Sequence, residues 1–235
     1  MLKRNSILHA GIGVFFVLLF VFPASLFCAS PKTPTAVPRT GDRFPRLSFY
    51  NNLTPKERNY LGIGGKKIFL LDEIKTQLIL IEYINTNCMH CISSIPILNE
   101  TYQTIEQDPN LKGKIKVIGI GVGNTPMEVE AFKKNYGIPH PILTDTEFKA
   151  HKAVGEPRVP FIVAARKDRL GRWIVDTAEV GLVGFMESRS NNGSGNNWVA
   201  VTVPGEEVFP VENFVEELKA ILDTPPETLK RKPRP

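Results

Sequence analysis

Apolar runs along the chain alternate with polar punctuation, and their lengths and periods predict an α/β architecture. Ile68 to Ile74 and Leu78 to Ile84 are apolar and rich in β-branched residues. The second run is almost continuous, as in a strand buried on both faces. From Cys91 the apolar positions Ile95, Leu98, Tyr102 and Ile105 follow at spacings of 4, 3, 4 and 3, which is the stripe of a helix. The order is strand, short loop, helix. Ile115 to Val122 is another buried strand, and Thr125, Pro126 and Glu128 open a second helix with Pro at its first position. Val129, Phe132 and Tyr136 give that helix an inward face, and Gly137 closes it.

Ile142 and Leu143 suit a short strand, Phe148 to Val154 a short helix, and Phe161 to Ala165 a third clear strand. Beyond the turn residues Lys167, Asp168 and Gly171, Arg172 to Val180 returns as an antiparallel strand. Ser188 to Asn197 is a Ser/Asn/Gly loop and Trp198 to Val203 a further strand, so this region reads as a C-terminal hairpin. Val211, Phe214, Val215, Leu218 and Ile221 mark a closing amphipathic helix. Alternation of this kind predicts a central mixed sheet flanked by helices.

The two ends differ from this body. Lys3 and Arg4 precede an apolar stretch and then the small residues Ala24, Ser25, Ala29 and Ser30, the pattern of an export signal. The apolar run from Ile7 to Ala29 is almost long enough to span a bilayer, so residues 1–30 read as a signal peptide or an N-terminal membrane anchor, with Cys28 inside it. Residues 31–40 are a proline-containing linker, residues 41–222 the folded domain, and residues 223–235 a basic, proline-rich tail. The formal charge of +5 is concentrated in the leader and tail, and no basic stripe interleaves with aromatics. That distribution gives no support to nucleic-acid binding.

Beyond the leader the chain has two cysteines, Cys88 and Cys91, three residues apart. Disulfide staples gain stability by closing long loops, and this gap is too short to staple anything. Redox chemistry explains the pair better. Cys88-Met89-His90-Cys91 follows a buried strand and opens a helix, whose free N–H groups and positive dipole end favour a thiolate at its first turn. Cys88 is therefore the expected nucleophile, and Cys91, one turn deeper, the expected resolving thiol. His90 adds a hydrogen-bonding or cationic group, or is simply a solvated loop residue. Glu82 interrupts the apolar run Leu78 to Ile84, so it must either reach a cation at the sheet edge or be buried with a raised pKa.

These residues resemble the thioredoxin fold, and most closely its exported TlpA/ResA-like branch within the redoxin superfamily. The strand-CxxC-helix unit is followed by Pro96, where thioredoxins carry a helix-kinking proline. Glu82 lies six residues before Cys88, where thioredoxin has a buried acid, and Val159-Pro160 before a strand resembles the cis-proline loop. Gly41-Asp42 and Pro45 resemble the branch's opening motif, and Pro126 to Gly155 the unit it inserts before the cis-proline. The resemblance implies an extracytoplasmic thiol-disulfide oxidoreductase without cofactor or metal. Its redox-active disulfide would be Cys88–Cys91, Val159 and Pro160 would bind substrate, and Glu82 would exchange protons with Cys91.

It further implies protein dithiols or disulfides as substrates, a membrane electron donor, and a part in cytochrome c maturation or redox homeostasis. Asn87 stands where such proteins usually have Trp, and Met89-His90 is an unusual dipeptide, which leaves the redox direction open. A peroxiredoxin-like peroxidase is one alternative, although Thr86 stands two residues before Cys88, off the spacing of that family's motif. A Sco-like copper protein is another, since two thiolates and a histidine suit Cu(I), with His140 and His151 as candidate distant ligands.

Overall fold

A computed structural model describes residues 36–181, 211–226 and 229. In chain order its elements are β1 (Ser48–Tyr50), α1 (Pro55–Leu61), β2 (Ile68–Leu70), a 3-10 turn (Leu71–Glu73), β3 (Leu78–Ile84), α2 (Met89–Gln107), β4 (Ile115–Val122), α3 (Pro126–Tyr136), β5 (Ile142–Asp145), α4 (Lys149–Ala153), β6 (Phe161–Lys167), β7 (Trp173–Val180) and α5 (Val211–Asp223). Five strands form the main sheet in the order β5-β4-β3-β6-β7. β3, β4 and β5 run parallel, while β6 is antiparallel to β3 and β7 to β6. This is the mixed, helix-flanked sheet of a thioredoxin-like fold.

The central position of β3 explains its composition. Every residue of Leu78–Ile84 is buried, because helices or loops cover both faces of the sheet. Side chains alternate between the faces. Ile79, Ile81 and Tyr83 join one core with Phe44, Leu61, Leu71, Phe161 and Trp173. Leu78 and Leu80 join the opposite core with Leu98 and Ile105 of α2 and Phe214, Val215 and Leu218 of α5. Ile84 packs with Cys91 and Ile95 at the end where α2 begins.

Local chemistry sets the helix ends. Thr125 and Glu128 form a reciprocal capping box in front of Pro126, and Gly137 closes α3 in the left-handed conformation at φ 60°. α1 repeats the device with Thr54, Pro55, Glu57 and a left-handed Gly62. On the far side of the sheet, buried Arg166 of β6 holds Asp176 of β7 through two hydrogen bonds of 2.8 and 2.5 Å and also donates to the carbonyl of Ile221 in α5. One guanidinium thus links two strands to the closing helix.

Several boundaries differ from the sequence reading. Ile68 to Ile74 is not one strand: β2 ends at Leu70 and pairs with β1 in a separate two-stranded sheet. Helix α2 begins at Met89, since Cys88 itself is its N-cap. Pro38, read as linker, is buried, and Gly41 N–H donates to the carbonyl of Val175 at 2.8 Å, so the chain is already docked there. β7 is the antiparallel strand expected over Arg172 to Val180, and it pairs with β6. The expected hairpin tip and strand at Ser188 to Val203, the leader, residues 31–35 and most of the tail lie outside the described residues. Among the described residues no helix is long and apolar enough to cross a membrane.

Candidate functional site

The end of β3 delivers the chain to the mouth of α2, and a net of side chains fixes the turn between them. Asn85 donates to the carbonyl of Val122 at 2.8 Å. Asn124, almost fully buried, accepts from the N–H of Thr86 at 3.1 Å and donates to its hydroxyl at 2.8 Å. Gly121 makes room for this clamp, because a Cβ there would lie 2.9 Å from Val129 and 3.3 Å from Asn124. The loop before the cysteines is thereby tied to the neighbouring β4–α3 turn.

Cys88 and Cys91 are free thiols, the first half-buried and the second fully buried. As N-cap, Cys88 accepts the N–H of Cys91 on its sulfur at 3.4 Å. A sulfur at this position receives one of the donors that every helix start leaves without a partner, a contact that strengthens when the sulfur is charged. The Cys88 thiol also lies 3.7 Å from the carbonyl of Val159. The Val159–Pro160 peptide bond is cis, and Val159 packs beside both cysteines. The structure therefore gathers Cys88, Cys91, Val159 and Pro160 in one place.

Beneath them lies Glu82, 4% exposed, on the face of β3 that meets α2. Its strand neighbours are Gly119 and Ile162, and no cationic side chain among the described residues pairs with it. Burial pushes its pKa up to about 8, offset in part by the Ser94 hydroxyl, which donates to it at 2.6 Å. Burial likewise pushes the Cys91 thiol well up, with the Cys88 sulfur and the Glu82 carboxylate adding to the effect and the backbone of Asn85 opposing it. Two groups that resist ionisation thus lie close enough in the interior for the charge of one to bear on the other.

His90 is exposed and makes no hydrogen bond or ion pair among the described residues. His140 and His151 are not brought to the thiols in any shared cluster. The His140 ring is buried beside Tyr102, its pKa pushed down to about 3 by burial and by Lys133, with Glu57 opposing. The ring nitrogen Nε2 of His151 lies 2.8 Å from the carbonyl of Pro157. Among the described residues no three His, Cys, Asp or Glu side chains converge as a metal centre requires. Two residues escaped sequence reasoning. Ser94 stands one helical turn beyond Cys91, a spacing that could have placed it on the inner face, whereas Asn124 has no signal of its own before the capping box.

No family model matches the chain. Among curated proteins it is 25% identical over 129 residues to the thiol-disulfide oxidoreductase ResA of Geobacillus thermodenitrificans, covering 55% of this chain and 63% of that protein. Among solved structures it resembles a Bacteroides thetaiotaomicron protein provisionally assigned as a protein disulfide isomerase, with a TM-score of 0.50 and 12% identity over 80% of this chain and 92% of the other. StoA from Bacillus subtilis superposes with a TM-score of 0.43 and 14% identity, over 60% of this chain and 90% of the other. At 12% identity the likeness to the Bacteroides thetaiotaomicron structure concerns the fold alone.

Proposed function

We propose that this chain, which is similar to TlpA/ResA-like thioredoxin-fold proteins, is a thiol-disulfide oxidoreductase that exchanges the Cys88–Cys91 couple with the thiols of exported proteins. The observation that carries this reading is the asymmetry of the pair. Cys88 caps a helix and reaches the cis-proline loop, while Cys91 is buried above a carboxyl group with a raised pKa. In the reducing direction the Cys88 thiolate attacks a substrate disulfide, forming a Cys88–substrate disulfide and releasing one substrate thiolate. Cys91 then gives its proton to Glu82, through a bridging water, and its thiolate attacks the Cys88 sulfur. The Cys88–Cys91 disulfide forms and the second substrate thiol leaves, so the protein loses the two electrons that the substrate gains. Oxidation of a substrate dithiol runs the same steps in reverse.

On this reading the backbone of Val159, whose carbonyl lies 3.7 Å from the Cys88 thiol, pairs with an extended substrate segment, as in other strand-addition modes of recognition. The leader read from the sequence places the domain outside the cytoplasm, secreted or anchored, where a membrane donor would keep the couple reduced. Apocytochrome cysteines are one substrate class that fits this location. The experiment is mixed-disulfide capture in an extracytoplasmic extract. Cys91→Ala is expected to accumulate covalent adducts that dithiothreitol releases, and Cys88→Ala to accumulate none. Equal adducts from both variants, or none from either, would remove the division of labour between the two sulfurs.

A further inference from the structure

Ser94 lies fully buried in the second turn of α2, and its hydroxyl faces two acceptors at once: Oε1 of Glu82 at 2.6 Å and the carbonyl oxygen of Cys91 at 2.7 Å. A hydroxyl has one hydrogen to give and lone pairs to receive another. With Glu82 neutral, both contacts are satisfied in one direction: the carboxyl O–H donates to Ser94, and Ser94 donates to the Cys91 carbonyl. With Glu82 ionised there is no carboxyl hydrogen, so the Ser94 O–H turns to Oε1 and leaves that carbonyl. The hydroxyl reverses direction with the charge beside it.

We propose that Ser94 is a positioning residue for thiol exchange, its hydroxyl supporting the ionised, proton-accepting state of Glu82 and handing its hydrogen bond to the Cys91 carbonyl when Glu82 takes up a proton. This rests on the reading of Glu82 as the acceptor of the Cys91 proton. Among the described residues, no other side chain donates a hydrogen bond to Glu82. The titratable groups facing Glu82 are Cys91 and, beyond it, Cys88 on α2, while β4 and β6 place Gly119 and Ile162 beside it. Among the described residues, the Ser94 hydroxyl is the hydrogen-bond donor that favours the Glu82 carboxylate against burial. Without it Glu82 would stay protonated to higher pH and could not accept a proton when Cys91 must lose one. The same hydroxyl bridges the strand that carries the acid and the helix that carries the thiol, so a change of charge on Glu82 is passed to the backbone of Cys91.

The test is the carboxyl 13C titration of Glu82 in the full chain with the dithiol reduced, the resonance being assigned with Glu82→Gln. Hydrogen bonds to charged groups are strong enough that Ser94→Ala should raise the midpoint by about one unit or more. At pH 7 the ionised fraction, and with it the rate at which Cys91 resolves a mixed disulfide, should fall about tenfold. That rate should recover at pH values above the new midpoint, which a merely structural lesion would not allow. Ser94→Thr, which keeps the hydroxyl, should restore the parental midpoint. An unchanged Glu82 midpoint in Ser94→Ala would overturn the role of Ser94. Because the midpoint is read without substrate, this failure is separate from that of the Glu82 reading, which would show as an unchanged exchange profile in Glu82→Gln.

Discussion

Glu82 is opposed by its surroundings in a way that can be measured as stability. Its pKa is raised from an ordinary 4.5 to about 8, so between these values the folded chain binds a proton that the unfolded chain has lost. Stability is then fully present below pH 4.5 and is lost as pH rises through 8, by up to about 1.4 kcal/mol per pH unit. Glu82→Gln removes this titration. Urea unfolding at a series of pH values from 5 to 8 should therefore show the parent losing ground steadily to Glu82→Gln, and parallel curves would show that the carboxyl is not held neutral. At this scale the sequence was informative where chemistry contradicted its setting: a carboxylate inside an apolar run draws notice, as do two cysteines at a helix start. Ser94 gave no such contrast, since a serine on a helix otherwise reads as surface. Its role comes from β3 lying directly beneath it, which is long-range information.

At the scale of elements, the strongest local signals were continuous apolar runs and capping residues with a proline behind them, and β3, β4, α3 and α5 follow them closely. α1 carries the same capping pattern as α3, Thr54-Pro55 with Glu57, but with a single buried residue, Leu61, it has almost no apolar stripe by which the sequence could show it. Ile68 to Ile74 reads as one strand because hydrophobicity does not report where a strand turns; after Leu70 the chain enters the 3-10 turn, where the Glu73 carboxylate accepts the N–H of Leu70 at 3.2 Å. The ion pair of Arg166 and Asp176 was equally invisible, being made between neighbouring strands. It now supports a prediction. Breaking a buried pair by removing one partner strands the other charge, so Asp176→Ala should cost about 3–5 kcal/mol in thermal or urea unfolding. The double variant Arg166→Met with Asp176→Leu should recover most of that loss. A cost below about 1 kcal/mol for the single variant, the range of exposed pairs, would show that water reaches the site.

For the molecule as a whole, a second buried group works against the fold in the opposite pH range from Glu82. Burial and Lys133 lower the His140 pKa from 6.5 to about 3, so the unfolded chain takes up a proton in that range that the folded chain refuses. Stability is present above pH 6.5 and is lost as pH falls toward 3. His140→Phe keeps an aromatic ring against Tyr102 and should flatten the acid side of the stability profile between pH 6 and 4, whereas an acid limb as steep as the parent's would assign the loss to carboxylates elsewhere. The expected division into leader, linker, domain and tail rests on composition, which carries no geometry, and the leader, the expected hairpin tip and most of the tail lie outside the described residues. The proposed activity requires Cys88 and Cys91 to cycle as one two-electron couple. Its most direct test is equilibration of the purified chain in glutathione buffers of graded potential, followed by acid quenching and mass spectrometry. The expected result is a single transition in which both thiol hydrogens are lost and a Cys88–Cys91 disulfide replaces the dithiol, abolished in Cys88→Ala and in Cys91→Ala. A chain that remains a dithiol throughout, or that ends as a stable glutathione adduct on Cys88 with Cys91 unreacted, would contradict it.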